Sequence, residues 1–154
     1  MHRLMNPRAR AVLAQARRAL VDAHIPSAPR KYHQTAAFYN GERYDSQGEA
    51  RYAQQLDVLK ATGKIRDWSR PAALILLDGP TPRSRITYKP DFRVEYPDGR
   101  VAYYDYKGSK VTMTQAWRLK SKLWNQTQEH QLRVVLSSGE EHVVATGRQR
   151  AYYG

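Results

Sequence analysis

Pro97-Asp98-Gly99 fixes the register of the residues on either side of it, and that register decides which side chains share a face. Apolar and aromatic residues alternate with polar ones on both sides, which is the pattern of two paired strands. A two-residue turn centred on Asp98-Gly99 would pair Tyr96 with Val101. It would also place Pro97 where a backbone N–H is wanted, and proline has none. A three-residue turn suits the residues better. Proline fits position i+1 of a type I turn, and glycine fits the left-handed bulge position after it. That turn pairs Tyr96 with Arg100 and Arg93 with Tyr103, and it sets Asp91 opposite Asp105. Asp105 and Lys107 then share a face, about 7 Å apart along the strand.

Directly opposed residues in a strand pair hold their β carbons about 4.5–5.5 Å apart, and like charges at that spacing are unfavourable. A hard, oxygen-seeking divalent cation between Asp91 and Asp105 would relieve the repulsion. Lys107 is placed to act on whatever that cation binds. The plainer reading is a strand pair with a wet, charged face, and that reading has still to explain why two acids oppose each other.

Glu49 lies upstream in Ser46-Gln47-Gly48-Glu49, which opens a helix ending at Thr62-Gly63. Ser46 and Glu49 fit a capping box, so Glu49 has a purely structural explanation. It also heads the stripe of Tyr52, Ala53 and Leu56, and a carboxylate there needs a partner. Both readings stand on the sequence. Before this helix, Asn40-Gly41 between short apolar runs marks a hairpin with a type I′ turn. After it, residues 72–77 read as an apolar strand buried on both sides. Two further strands lie at about 85–96 and 101–107. A helix over 112–128 carries Ala116, Leu119 and Leu123 on its apolar face, with Trp117 and Trp124 beside them. A strand rich in β-branched residues covers 132–136.

The 154 residues suit one domain. A first helix is expected from Asn6-Pro7 to about residue 24, with a proline-broken linker after it, so that 1–30 form an N-terminal helix and linker. Residues 148–154 form a basic and aromatic tail. The formal net charge of +12 points to a polyanionic partner, nucleic acid first and an anionic membrane second. No apolar run is long enough to span a bilayer, and the first residues do not read as a signal peptide, so cytoplasmic residence is the expectation. The chain has no cysteine, which excludes disulfides and thiolate zinc sites.

Pro90-Asp91, then thirteen residues, then Asp105-Tyr106-Lys107, all preceded by a helix bearing Glu49, resembles the PD-(D/E)XK nuclease superfamily. The order of helix, apolar strand, hairpin, DxK, basic helix and strand is similar to that family's core over residues 44–136. Within the superfamily the chain resembles small phage-encoded nucleases, through Tyr44-Asp45-Ser46-Gln47-Gly48-Glu49, and archaeal-type Holliday junction resolvases. It departs from the commoner pattern in having Asp105 where glutamate is usual, and in having Arg70-Pro71 where some relatives carry a glutamine.

The resemblance implies an α/β fold with a restriction-endonuclease-like core, a central mixed sheet flanked by helices, plus the extra N-terminal helix. It implies Mg²⁺, with Mn²⁺ as a substitute, held by Asp91, Asp105, the Tyr106 backbone carbonyl and Glu49. Lys107 would orient water or neutralise developing charge. The expected reaction is phosphodiester hydrolysis in branched DNA, four-way junctions above all, in the cytoplasm (of the host, for a phage-encoded enzyme). Other nuclease tasks and a non-catalytic DNA-binding module are the alternatives. Lys110, Arg118, Lys120 and Lys122 either hold the DNA backbone or form a solvated helix face. A junction needs two cuts, so the expected assembly is a homodimer, with Trp117, Trp124 or Tyr152-Tyr153 as apolar interface.

Overall fold

A computed structural model of the chain describes residues 35–108 and 114–148. The expected N-terminal helix, Lys110, and the tail beyond Arg148 with Tyr152-Tyr153 lie outside the described residues.

The Asn40-Gly41 turn forms as its residues dictate. Both have positive φ, 49° and 79°, and they join β1 (Ala37–Tyr39) to β2 (Glu42–Tyr44). Helix α1 (Gln47–Ala61) starts on Ser46, whose side chain accepts from the Glu49 N–H. Its buried residues, Ala50, Tyr52, Ala53 and Leu56, are the apolar stripe seen in the sequence. Next come β3 (Asp67–Ser69), β4 (Leu74–Leu77), β5 (Ile86–Tyr88), β6 (Phe92–Glu95) and β7 (Val101–Lys107), then helix α2 (Gln115–Thr127), β8 (Gln131–Leu136) and β9 (Glu141–Ala145). No described helix is long and apolar enough to cross a membrane.

The fold is α/β. A five-stranded mixed sheet runs in the order β3-β6-β7-β8-β9, with β7 and β8 parallel and the other neighbours antiparallel. The parallel pair needs a crossover, and α2 supplies it. Alternation along β6 and β7 sorts side chains to the two faces. Phe92, Val94, Ala102 and Tyr104 join the α1 stripe in one core. On the other face Leu132, Val134 and Leu136 pack with Trp117, Leu123 and Trp124 of α2, and with Leu76 and Tyr88 of the β4–β5 ribbon. The close approach of α1 to β7 depends on Gly48, where a β carbon would collide with the Tyr106 ring.

Four expectations are corrected. The segment expected as one strand over 85–96 is broken into β5 and β6 at Lys89-Pro90-Asp91, because Pro90 has no N–H for a ladder. Residues 72–77 are not a central strand buried on both faces: β4 pairs only with β5 in a two-stranded ribbon, and Ile75 is exposed. Edge strands β3 and β9 were not anticipated; both are short and carry charged residues. Finally, Trp117 and Trp124 are not available as a dimer surface. They are 9% and 0% exposed, because they fill the core between α2 and the sheet.

Candidate functional site

The hairpin adopts the register that Pro97-Asp98-Gly99 dictates. The Gly99 N–H donates to the Tyr96 carbonyl at 3.0 Å, the Tyr96 N–H to the Arg100 carbonyl at 2.8 Å, and Gly99 has φ 86°. Arg93 pairs with Tyr103 and Phe92 with Tyr104. One step further, Asp91 stands across from Asp105, and the Asp91 N–H donates to the Tyr104 carbonyl at 3.0 Å.

Asp105 is almost fully buried, at 4% exposure, and the chain surrounds it with donors. Lys107 Nζ lies 2.7 Å from its Oδ2, and Trp117 Nε1 donates to the same oxygen at 3.0 Å. The Trp117 indole N–H is shared with the Tyr88 hydroxyl, also at 3.0 Å. Lys107 in turn sits over the Trp117 ring, 5.6 Å from its centre. Thus β5, β7 and α2 each contribute one group to holding this carboxylate.

Asp91 has less support. Its Oδ2 accepts from the Tyr106 N–H at 2.7 Å. Burial and the neighbouring Asp105 carboxylate push its pKa up to about 8, and Glu49 adds a smaller push in the same direction. Two acids therefore face each other in a dry place, with the Lys107 ammonium on Asp105, and Asp91 carries the strain.

Glu49 has a structural role and a place on a cleft. Its carboxylate accepts from the Asp45 N–H and the Ser46 hydroxyl, each at 3.3 Å, which makes it part of the helix cap. It also lines a cleft of about 150 Å³ together with Asp91, Tyr44, Asp45, Arg70 and Lys89. Burial, then Asp45, raises its pKa, while the cap hydrogen bonds and Arg70 oppose the rise.

Of the predicted site residues, Glu49 and Asp91 line this cleft; Asp105 is a neighbour of Asp91 and carries Lys107, the Tyr106 N–H donates to Asp91, and none of these three lines the cleft. Arg118, Lys120 and Lys122 lie on α2, and none of them lines the cleft. Four residues near the site escaped the sequence reading. Tyr88 was legible from the alternation of Ile86 and Tyr88 in β5. Trp117 was read as apolar surface, and nothing in its spacing announced an indole N–H on Asp105. Lys89 precedes the Pro90-Asp91 pair directly and carried no separate signal. Arg70 comes just after β3, an unforeseen strand, so its approach to α1 was invisible. A larger hollow of about 310 Å³, lined among others by Tyr96, Arg100 and Arg133, lies towards the turn end of the hairpin. Its arginines are already committed, Arg100 to Asp98 and Arg133 to Tyr104 and Glu141.

The donor chemistry at Asp91 and Asp105 is hard oxygen, which fits Mg²⁺ or Mn²⁺ and not a softer ion. The hydrogen bonds from Trp117 and from the Tyr106 N–H fall on one oxygen of each acid. Among the described residues no three His, Cys, Asp or Glu side chains are gathered closely enough to hold a metal by themselves. A cation here would thus rest on the Asp pair and reach Glu49 through water.

Fold and site together define an α/β protein with an opposed carboxylate pair, a lysine on one of the two acids, and a third acid at the head of a helix. The chain belongs to the family described as protein of unknown function (DUF1064), whose model matches residues 29–139. No curated protein and no solved structure matches it.

Proposed function

We propose that this chain is a metal-dependent DNA endonuclease of the PD-(D/E)XK kind, acting on branched DNA such as four-way junctions. The observation that carries the reading is the opposition of Asp91 and Asp105, with Lys107 on Asp105 and Glu49 in the same cleft as Asp91. An antiparallel hairpin, a crossover helix and a parallel strand, in that order, support a restriction-endonuclease-like core. The net charge of +12 supports a polyanionic substrate. Cytoplasmic residence and a homodimer that makes two cuts belong to the same proposal.

In this mechanism Asp91, Asp105 and the Tyr106 carbonyl would hold Mg²⁺ or Mn²⁺, with Glu49 joined through water. The ion would neutralise charge on the scissile phosphate and make water more acidic. Asp105 is pre-oriented by Trp117 and Tyr88, so it need not reorganise when substrate arrives. Lys107 holds a positive charge on Asp105 and would face negative charge developing on the phosphate. Glu49 faces the cleft from the α1 terminus and is suited to accept a proton from water, because its pKa is raised.

The test is a panel of linear duplex, flap, splayed-arm and four-way junction DNA incubated with Mg²⁺ and with Mn²⁺. The expected result is paired cuts in the four-way junction, reduced at least about a hundredfold in Asp91→Asn. If Asp91→Asn cuts as well as the wild type, the carboxylate site is not the catalyst. Progressive loss from duplex ends would move the protein to an exonuclease role.

A further inference from the structure

A cleft walled by carboxylates repels the phosphate it would have to receive, and Lys107 is already engaged with Asp105. Two other cations line the cleft, Arg70 and Lys89. We propose that these two side chains form its phosphate-binding wall, with Arg70 gripping a DNA backbone phosphate and Lys89 adding charge beside it. The proposal rests on the nuclease reading of the cleft, and it names where the substrate strand is held.

Arg70 is prepared for such a grip. Its guanidinium lies over the Tyr44 ring, 4.4 Å from the centre, so its plane is fixed before any ligand arrives. Nη1 donates to the Arg43 carbonyl at 2.9 Å and approaches the Glu42 carboxylate at 3.5 Å. Among the described residues both polar contacts go through Nη1. The edge formed by Nε and Nη2 keeps two parallel N–H donors without a partner among those residues, and that edge matches two phosphate oxygens. Arg70 faces the same cleft as Glu49 and Asp91. Lys89 is exposed, immediately precedes Pro90-Asp91, and has no ion pair among the described residues. A backbone phosphate bridging Arg70 and Lys89 would bring the strand in beside the β1–β2 hairpin and the start of α1. The cations of α2 would then serve only a more distant part of the DNA.

Phosphate contacts position a strand without reading its bases. Binding is therefore measured without cleavage, in the Asp91→Asn background and in EDTA, by fluorescence anisotropy with a labelled four-way junction over a series of salt concentrations. Adding Arg70→Gln is expected to weaken binding about tenfold and to reduce the salt slope by about one. Arg70→Lys keeps the charge and loses the fork, so it recovers only part of the affinity. Lys89→Ala gives a severalfold loss. Thermal unfolding of each variant accompanies the binding curves, and the Gln side chain keeps part of the stem packed on Tyr44 should the loss trace to folding. Unchanged affinity in a folded Arg70→Gln protein overturns the proposal, as does failure of the Asp91→Asn parent to bind. Cleavage by the wild type with Mg²⁺ is scored separately. Cleavage with unchanged Arg70→Gln binding removes the phosphate wall and leaves the nuclease reading. Weakened binding without wild-type cleavage removes the nuclease reading and leaves an anion-binding wall.

Discussion

Strand β7 carries a polar network at each of two neighbouring positions, and the two are built on opposite principles. At Tyr104, the hydroxyl meets the Tyr96 hydroxyl and accepts from Arg133 Nη1 at 3.1 Å, and Arg133 lies 3.6 Å from Glu141. Each charge there has an opposite partner, and the pair of tyrosines completes the set. At Asp105, one residue further, two acids confront each other, and Lys107 pairs with Asp105. Tyr104 and Asp105 are both buried, at 2% and 4% exposure, while Arg133 and Glu141 reach partly into solvent. The first arrangement matches its charges, and among its described polar atoms it leaves Arg133 Nε without a partner. The second sets two acids together, so Asp91 keeps its proton to about pH 8, and perturbed acids of this kind collect at sites that act on a ligand.

The largest effect is expected at Lys107. Replacing it with Met leaves Asp105 buried beside Asp91 with only neutral donors. Breaking a buried pair from one side costs about 3–5 kcal/mol. Urea unfolding in EDTA measures it. The loss should shrink when Asp91→Asn is added, because the repulsion that Lys107 offsets is then gone. Strict additivity of the two changes would mean that the carboxylates do not interact, and the contrast with Tyr104 would collapse.

Asp91→Asn alone is expected to stabilise the metal-free protein, by about 0.5–2 kcal/mol near neutral pH and above. The sign comes from linkage. The folded state raises the Asp91 pKa to about 8, while the unfolded chain releases that proton near pH 4. Between those values the folded state binds more protons, so stability falls as pH rises through the window and levels off beyond it. The Asn variant should show a flatter profile. Mg²⁺ should raise the melting temperature of the wild type and leave that of the variant nearly unchanged. A wild-type profile that is flat from pH 4 to pH 8 would refute a strained pair.

The local parts of this site were legible because they depend on neighbours in sequence. Proline and glycine at 97 and 99 favoured one turn, the turn set the register as far as Phe92 and Tyr104, and just beyond it Asp91 meets Asp105. Ser46 and Glu49 announced the start of α1 for the same reason. What stayed hidden depends on long-range packing. Trp117 lies on the sheet side of α2, and only the docking of that helix on the sheet brings its N–H to Asp105. Arg70 reaches the cleft because β3 adds to the edge of β6, a pairing of three residues that no apolar pattern marks. The ribbon of β4 and β5 misled for a related reason. A run of leucines looks equally apolar whether one of its residues is buried or all of them.

The smallest effect is expected at the charge-matched position, Tyr104. Tyr104→Phe removes one hydroxyl from the network, yet Arg133 keeps Glu141, and Tyr96 is only partly buried and can turn to water. The ring itself stays, with its packing against Tyr52 at 6.1 Å between centres. A net loss of about 0.5–1.5 kcal/mol is what a single hydrogen-bonded hydroxyl contributes. Nothing in this network is negatively strained, so the variant should leave the pH profile and the Mg²⁺ response as they are in the wild type. Denaturant unfolding with and without Mg²⁺ checks both points. If Tyr104→Phe lowered the Mg²⁺ response as Asp91→Asn does, the two networks would be one, coupled along β7, and the division of the strand into a structural and a reactive segment would have to be abandoned.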